Sequence, residues 1–199
     1  MAHVSAAERR PQLIKAAIDL MAREGIAAGS TRAVAAELGV AQATVHYTLG
    51  SKEELYRAVL EHLSEELIAR VRAAEPEGRS FPETVTAMAR ELWAAVRENP
   101  GHGLLLVELS AYAVRSPGLR ESVGEHLRGV LAAASDIVSG AAERTGVQLA
   151  HPPEDVARFF LAGFDGLMTH RLLLDDLDVH EASLTHLITA SVAMALGHI

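Results

Sequence analysis

Apolar residues recur every three or four positions along almost the whole chain and almost never alternate strictly. That periodicity predicts helices throughout, about nine of them, and an all-α fold. The first opens at Ser5, with Glu8 three residues on to complete a capping box, and carries Leu13, Ala16, Ala17, Leu20 and Met21 on one stripe before Gly25 stops it. Two short helices follow, from Ser30-Thr31 to Leu38-Gly39 and from Gln42 to Thr48, ended by Gly50. Ser51 and Glu54 cap a fourth helix, striped by Leu55, Val59, Leu63, Leu67 and Val71, that fades into Glu75-Pro76-Glu77-Gly78. Ser80 and Glu83 cap a fifth, running to Asn99-Pro100-Gly101; a sixth covers His102 to Arg115. Ser116-Pro117 starts a long seventh that ends near Thr145-Gly146. Pro152-Pro153 starts an eighth reaching Leu174, an aspartate-rich turn through Asp178 follows, and a ninth spans Glu181 to Leu196.

Charge divides this series. The 199 residues carry a net charge of −8, which by itself points away from nucleic acid. Residues 1–52, however, hold six basic groups (Arg9, Arg10, Lys15, Arg23, Arg32, Lys52) against four acidic ones (Glu8, Asp19, Glu24, Glu37), a balance of +2 that leaves −10 for the rest. A small basic trihelical part and a larger acidic body are therefore expected, with different tasks. The division expected is 1–51 for the first, 52–74 for a linking helix and 75–199 for the body. Cysteine is absent, which excludes a disulfide scaffold and thiolate metal sites, and a hydrophobic fraction of 49% excludes a mainly disordered chain. The first ten residues have no apolar leader core, and the longest uncharged stretch, Ala182–Ile199, is short for a membrane span and contains two histidines. A cytoplasmic protein is expected.

The most informative segment is Ser30–Lys52, STRAVAAELGVAQATVHYTLGSK. Two short helices joined by a tight turn at Gly39 are the layout of a helix-turn-helix. Val34, Ala35, Leu38, Val40 and Val45 would lock the pair against the first helix. The second helix then exposes Gln42, Ala43, Thr44, His46 and Tyr47. Gln, Thr and His side chains can hydrogen-bond base edges, and Ala can touch a thymine methyl. Thr31 and Lys52 lie at helix N-termini, where backbone N–H, dipole and side chain converge on one phosphate.

These residues resemble the DNA-binding domain of TetR-family (tetracycline-repressor-like) regulators. The resemblance is carried by Ser30-Thr31, Val34-Ala35, Leu38-Gly39-Val40, Thr44-Val45-His46-Tyr47 and Ser51-Lys52-Glu53-Glu54-Leu55. It implies that Thr31, Tyr47 and Lys52 hold the DNA backbone and that Gln42, Ala43, Thr44 and His46 face the bases. Arg32 joins them unless it pairs with Glu37, and Tyr47 unless it packs on the first helix. Departures are Ala41, which lacks the hydroxyl of a usual helix cap, and Thr48-Leu49 in place of an aromatic pair.

The resemblance also implies a ligand-binding and dimerisation domain beyond residue 75. Apolar and aromatic residues at helical spacing are its candidate pocket: Met88, Leu92 and Trp93 on the fifth helix, Leu104, Leu105 and Tyr112 on the sixth, Phe160, Phe164 and Met168 on the eighth. Each of these is equally a core position. Glu108 interrupts the apolar run of the sixth helix and needs a partner if buried, either an arginine (Arg90, Arg97 or Arg171) or a cationic or hydrogen-bonding ligand. Small and apolar residues on the last two helices, Phe159, Gly163 and Leu167 with Leu184, Leu187, Ile188, Ser191 and Ala195, are the candidate dimer interface, or else pack within one subunit. The histidines show no ligand spacing, so no metal site, no cofactor and no catalytic residues are expected. The reading is a homodimeric regulator, most simply a repressor released from a palindromic operator by a small organic effector. The alternatives are a helical enzyme and a constitutive DNA-binding protein.

Overall fold

The computed structural model describes residues 6–199, with side chains from Arg9 onward. The cap expected at Ser5 and Glu8 lies outside the described residues. Within them there are nine α-helices and no strand: α1 (Ala6–Glu24), α2 (Thr31–Leu38), α3 (Gln42–Leu49), α4 (Lys52–Ala73), α5 (Phe81–Glu98), α6 (Pro100–Val114), α7 (Pro117–Thr145), α8 (Pro153–Leu173) and α9 (Leu177–Ala195). A 3₁₀ turn, Ile26–Ala28, between α1 and α2 was not foreseen. No described helix is long and apolar enough to cross a membrane.

The helix starts follow local chemistry. Ser51 N–H donates to Glu54 and Glu54 N–H to Ser51 Oγ, closing the box at the head of α4. These bonds hold the Glu54 carboxyl below the usual carboxylate range. Ser80 donates both N–H and hydroxyl to Glu83 at the head of α5. The last helix begins four residues earlier than expected, because Asp176 accepts the Val179 N–H as a cap and Asp178 then favours the first turn.

The chain forms two compact units. One runs to Glu65 and takes in Gly101–His126; the other comprises Glu66–Pro100 and Leu127–Ile199. The first has a core in which Leu13, Ala17 and Met21 of α1 meet Val34, Ala35, Val45 and Leu49 of α2 and α3, Leu55, Val59 and Leu63 of α4, and Leu105 and Leu109 of α6. Its charged edge is closed by Arg23, which pairs with Glu37 at 3.3 Å.

In the second unit α8 and α9 form an antiparallel hairpin. An added Cβ on Gly163 would come within 2.5 Å of Leu187 Cδ1, so the two helices approach as closely as a glycine permits. Leu184, Ile188, Ser191 and Ala195 are buried inside the chain itself. They are 0–4% exposed, so nearly all of their surface is covered within their own hairpin. Phe159 is exposed, and Gly163, Leu167 and Leu187 are half-buried. Arg70 of α4 forms ion pairs with Glu91 and Glu98 of α5, and Arg144 of α7 with Glu75.

Candidate nucleic-acid interface

The helix-turn-helix is set by its turn. Gly39 takes φ 63°, a left-handed conformation that costs other residues strain, and its N–H closes on the carbonyls of Ala35 and Ala36. Val34 and Val45 are fully buried and lock α2 to α3 and both to α1. Leu38, expected in that lock, is exposed instead. Ser30 caps α2 through Ala33 N–H, whereas Ala41 gives α3 no side-chain cap.

With one face of α3 spent on the core, the other is free. Gln42, Ala43, His46 and Tyr47 are exposed, and Thr44 is half-exposed. Tyr47 is 89% exposed, so it does not pack on α1. Arg32 is exposed as well, and the cation at Glu37 is Arg23 rather than Arg32. Gln42 Nε2 donates to Thr31 Oγ1 at 3.4 Å, which places a base-reading and a phosphate-holding candidate side by side at the heads of α3 and α2. Thr48 donates its hydroxyl to the Thr44 carbonyl at 2.8 Å.

His46 is oriented by its neighbour. Its Nδ1–H donates to the Gly50 carbonyl at 3.0 Å, while Gly50 N–H returns a bond to the His46 carbonyl. Nε2 of the neutral ring is left as an acceptor, suited to an amino group on a base edge.

Lys52 is not a free cation at a helix start. Its ammonium lies 5.1 Å from the Tyr56 ring centre and 5.7 Å from that of Tyr112, and the Tyr56 hydroxyl raises its pKa above the ordinary lysine value. Tyr56 and Tyr112 meet edge to face at 5.6 Å. The Tyr56 hydroxyl donates to the Ile26 carbonyl at 2.7 Å, and Ile26 N–H donates to the Glu108 carboxylate at 2.9 Å. Both backbone groups of Ile26 are thus held by side chains, one from α4 and one from α6. That fixes the turn from which α2 departs.

The partner of Glu108 is accordingly a backbone N–H and not an arginine. Arg97 pairs with Glu181 instead. Leu104, Leu105, Glu108 and Tyr112 belong to the unit that carries the helix-turn-helix, and Met88, Leu92, Trp93, Phe160, Phe164 and Met168 to the other. The sequence gives no signal for the Ile26–Glu108 bond, whose ends are 82 residues apart. Glu108→Ala is expected to cost about 1–3 kcal/mol in urea unfolding, the usual loss for a charge-assisted bond, and Glu108→Gln, which keeps an acceptor, to recover most of it.

A three-helix unit with a pinned turn and an exposed, polar second helix defines a helix-turn-helix DNA-binding protein. Family comparison agrees. Residues 13–59 match the model of bacterial regulatory proteins of the tetR family, and residues 81–197 that of the C-terminal part of BetI-type transcriptional repressors. The chain belongs to the TetR family, a class of ligand-responsive DNA-binding regulators of transcription. It is 30% identical over 118 residues to the nicotine-responsive transcriptional repressor HdnoR of Paenarthrobacter nicotinovorans, a match covering 57% of this chain and 59% of that protein. This chain thus spans under two thirds of that relative's length. Its fold is similar to the multidrug-binding protein EbrR, solved with imidazole (28% identity, TM-score 0.68, 92% of this chain and 89% of that one). It is also similar to a transcriptional regulator of Rhodococcus sp. Rha1 (24% identity, TM-score 0.73, 95% and 96%), a likeness of fold alone.

Proposed function

We propose that the protein is a repressor that acts in the cytoplasm as a two-fold homodimer on a palindromic operator and is released by a small organic effector. The observation that carries this reading is the free face of α3. Gln42, Ala43, Thr44 and His46 project base-reading groups, and Thr31, Arg32, Tyr47 and Lys52 flank them for the backbone. One such helix makes few base contacts, so two half-sites about 34 Å or more apart call for a dimer. The exposed flank of α8, including Phe159, supports a partner surface there. The acidic body, residues 75–199, takes the effector; the nicotine-responsive HdnoR and the multidrug-binding EbrR, solved with imidazole, support that assignment. The protein catalyses no reaction in this reading. Tenfold release needs a differential affinity of only about 1.4 kcal/mol between the two states.

A gel shift with the DNA flanking the protein's own gene, repeated with cell extract, tests the reading. A retarded band on a palindromic fragment that extract dissolves is the expected result. Retardation that no extract or compound library changes would leave a constitutive DNA-binding protein, and no retardation of any selected duplex would overturn the proposal.

A further inference from the structure

Among the described residues, two buried side-chain atoms have no hydrogen-bond partner: Nδ1 of His180 and Nε of Arg171. Both lie in the unit of α5, α8 and α9, and the register of the hairpin brings them to one level. Gly163 faces Leu187 across it, and Val156 packs in one cluster with Ala195. In an antiparallel pair, advancing along α8 matches retreating along α9. Two turns beyond Gly163 is Arg171, and two turns before Leu187 is Val179, next to His180.

Trp93 joins that level to an aromatic wall about two turns back along α8. Trp93 of α5, 2% exposed, meets Phe164 edge to face at 6.0 Å and lies 6.5 Å from the His180 ring at a tilt of 35°. Phe160 adjoins Phe164 at 5.8 Å. Phe164, Met168 and Arg171 follow each other at four and three residues, so they share one face of α8. The neighbouring carboxylate is already engaged: Glu181 Oε1 accepts Trp93 Nε1–H at 2.9 Å and Arg97 at 2.6 Å.

An unmade hydrogen bond on a buried group is costly, and His180 is 4% exposed. Arg171 Nε is a donor in every state. With Nδ1–H, His180 supplies a second donor, and two donors at one level beside one arginine charge suit an acceptor with two oxygens. We propose that His180 and Arg171 are the polar anchors of the effector site, and that they take the carboxylate of a small aromatic acid whose ring lies against Trp93 and Phe164. The proposal rests on the effector-responsive reading above and names the ligand class for it.

Trp93 is the only tryptophan of the chain, so its emission reports on this place. The full-length protein is titrated with benzoate, benzamide and benzylamine while that emission is followed. Benzoate is expected to give a saturable change at millimolar concentration, at least tenfold tighter than the neutral and cationic probes. Arg171→Met and His180→Phe are each expected to weaken benzoate tenfold or more. His180→Asn, which keeps a donor near the Nδ1 position, should bind within threefold of the parent, and its unchanged thermal midpoint separates anchoring from folding. No response to any probe, the result if a buried water satisfies both atoms, overturns the proposal. So does an equal response to all three probes, or an undiminished response in both Arg171→Met and His180→Phe, which would mark an adventitious additive only. Release of operator DNA by cell extract in a protein that ignores benzoate would overturn this inference and leave the effector-responsive reading standing.

Discussion

In the proposed dimer, His46→Ala is expected to lower affinity for the selected operator by about 2–6 kcal/mol, because a base-edge contact of about 1–3 kcal/mol would be lost once in each half-site. That is roughly thirtyfold to twenty-thousandfold. The loss should be confined to duplexes carrying the preferred base at one position of each half-site, and affinity for random DNA should hardly change. The reason is the Gly50 carbonyl. By taking Nδ1–H it fixes the ring and leaves Nε2 as the acceptor, so His46 is expected to discriminate between bases and not only to attract DNA. Lys52→Ala should act in the opposite way, weakening every duplex alike and reducing the slope of log affinity against log salt. Binding of the two variants to operator and random duplexes across a salt series checks both. Equal losses on all sequences for both would sink the division between reading and holding.

Trp93→Ala lowers the unfolding free energy by about 3–5 kcal/mol, the usual range for removing a buried aromatic side chain. The indole is closely surrounded by Phe164 and His180, and its N–H is bonded to Glu181, so the substitution leaves both a void and an acceptor short of one donor. Arg97 still answers the Glu181 charge, which keeps the loss within the cavity range. Trp93→Phe refills most of the volume and should recover more than half. Chemical denaturation followed by circular dichroism measures all three proteins. A loss under about 1 kcal/mol for Trp93→Ala would show that the indole contributes little to the packing of this unit.

The helix-turn-helix was legible because everything that builds it is local. Capping pairs are three residues apart, the turn needs one left-handed glycine at Gly39, and the spacing of Val34, Ala35 and Val45 fixes which face is buried. The exposed set on α3 then follows by subtraction. Leu38 shows the limit of that logic: its spacing fits the lock, yet at the last turn of α2 it stays exposed.

The acidic body was legible as helices and not as a site. Periodicity identifies an apolar stripe without saying what covers it, so Leu184, Ile188, Ser191 and Ala195 fitted a partner subunit as well as they fitted their own hairpin. In the folded chain the four are buried within the hairpin, a placement that spacing alone does not reveal. His180 and Arg171 looked unremarkable because their spacing matches no ligand pattern; only the register of α8 with α9 puts them at one level.

The amino-acid sequence by itself therefore determined the helices, the turn that joins α2 to α3, the charge difference along the chain and the face that α3 leaves exposed. Each depends on side chains within one or two helical turns of each other, where spacing is geometry. Tertiary structure alone decided which carboxylate holds which partner: Glu108 on Ile26 and Glu181 between Trp93 and Arg97, pairs 82 to 88 residues apart. It also stacked Lys52 on two tyrosines and left His180 and Arg171 buried without a bond. Such choices depend on which helices pack together, and a local pattern carries no record of its distant neighbour.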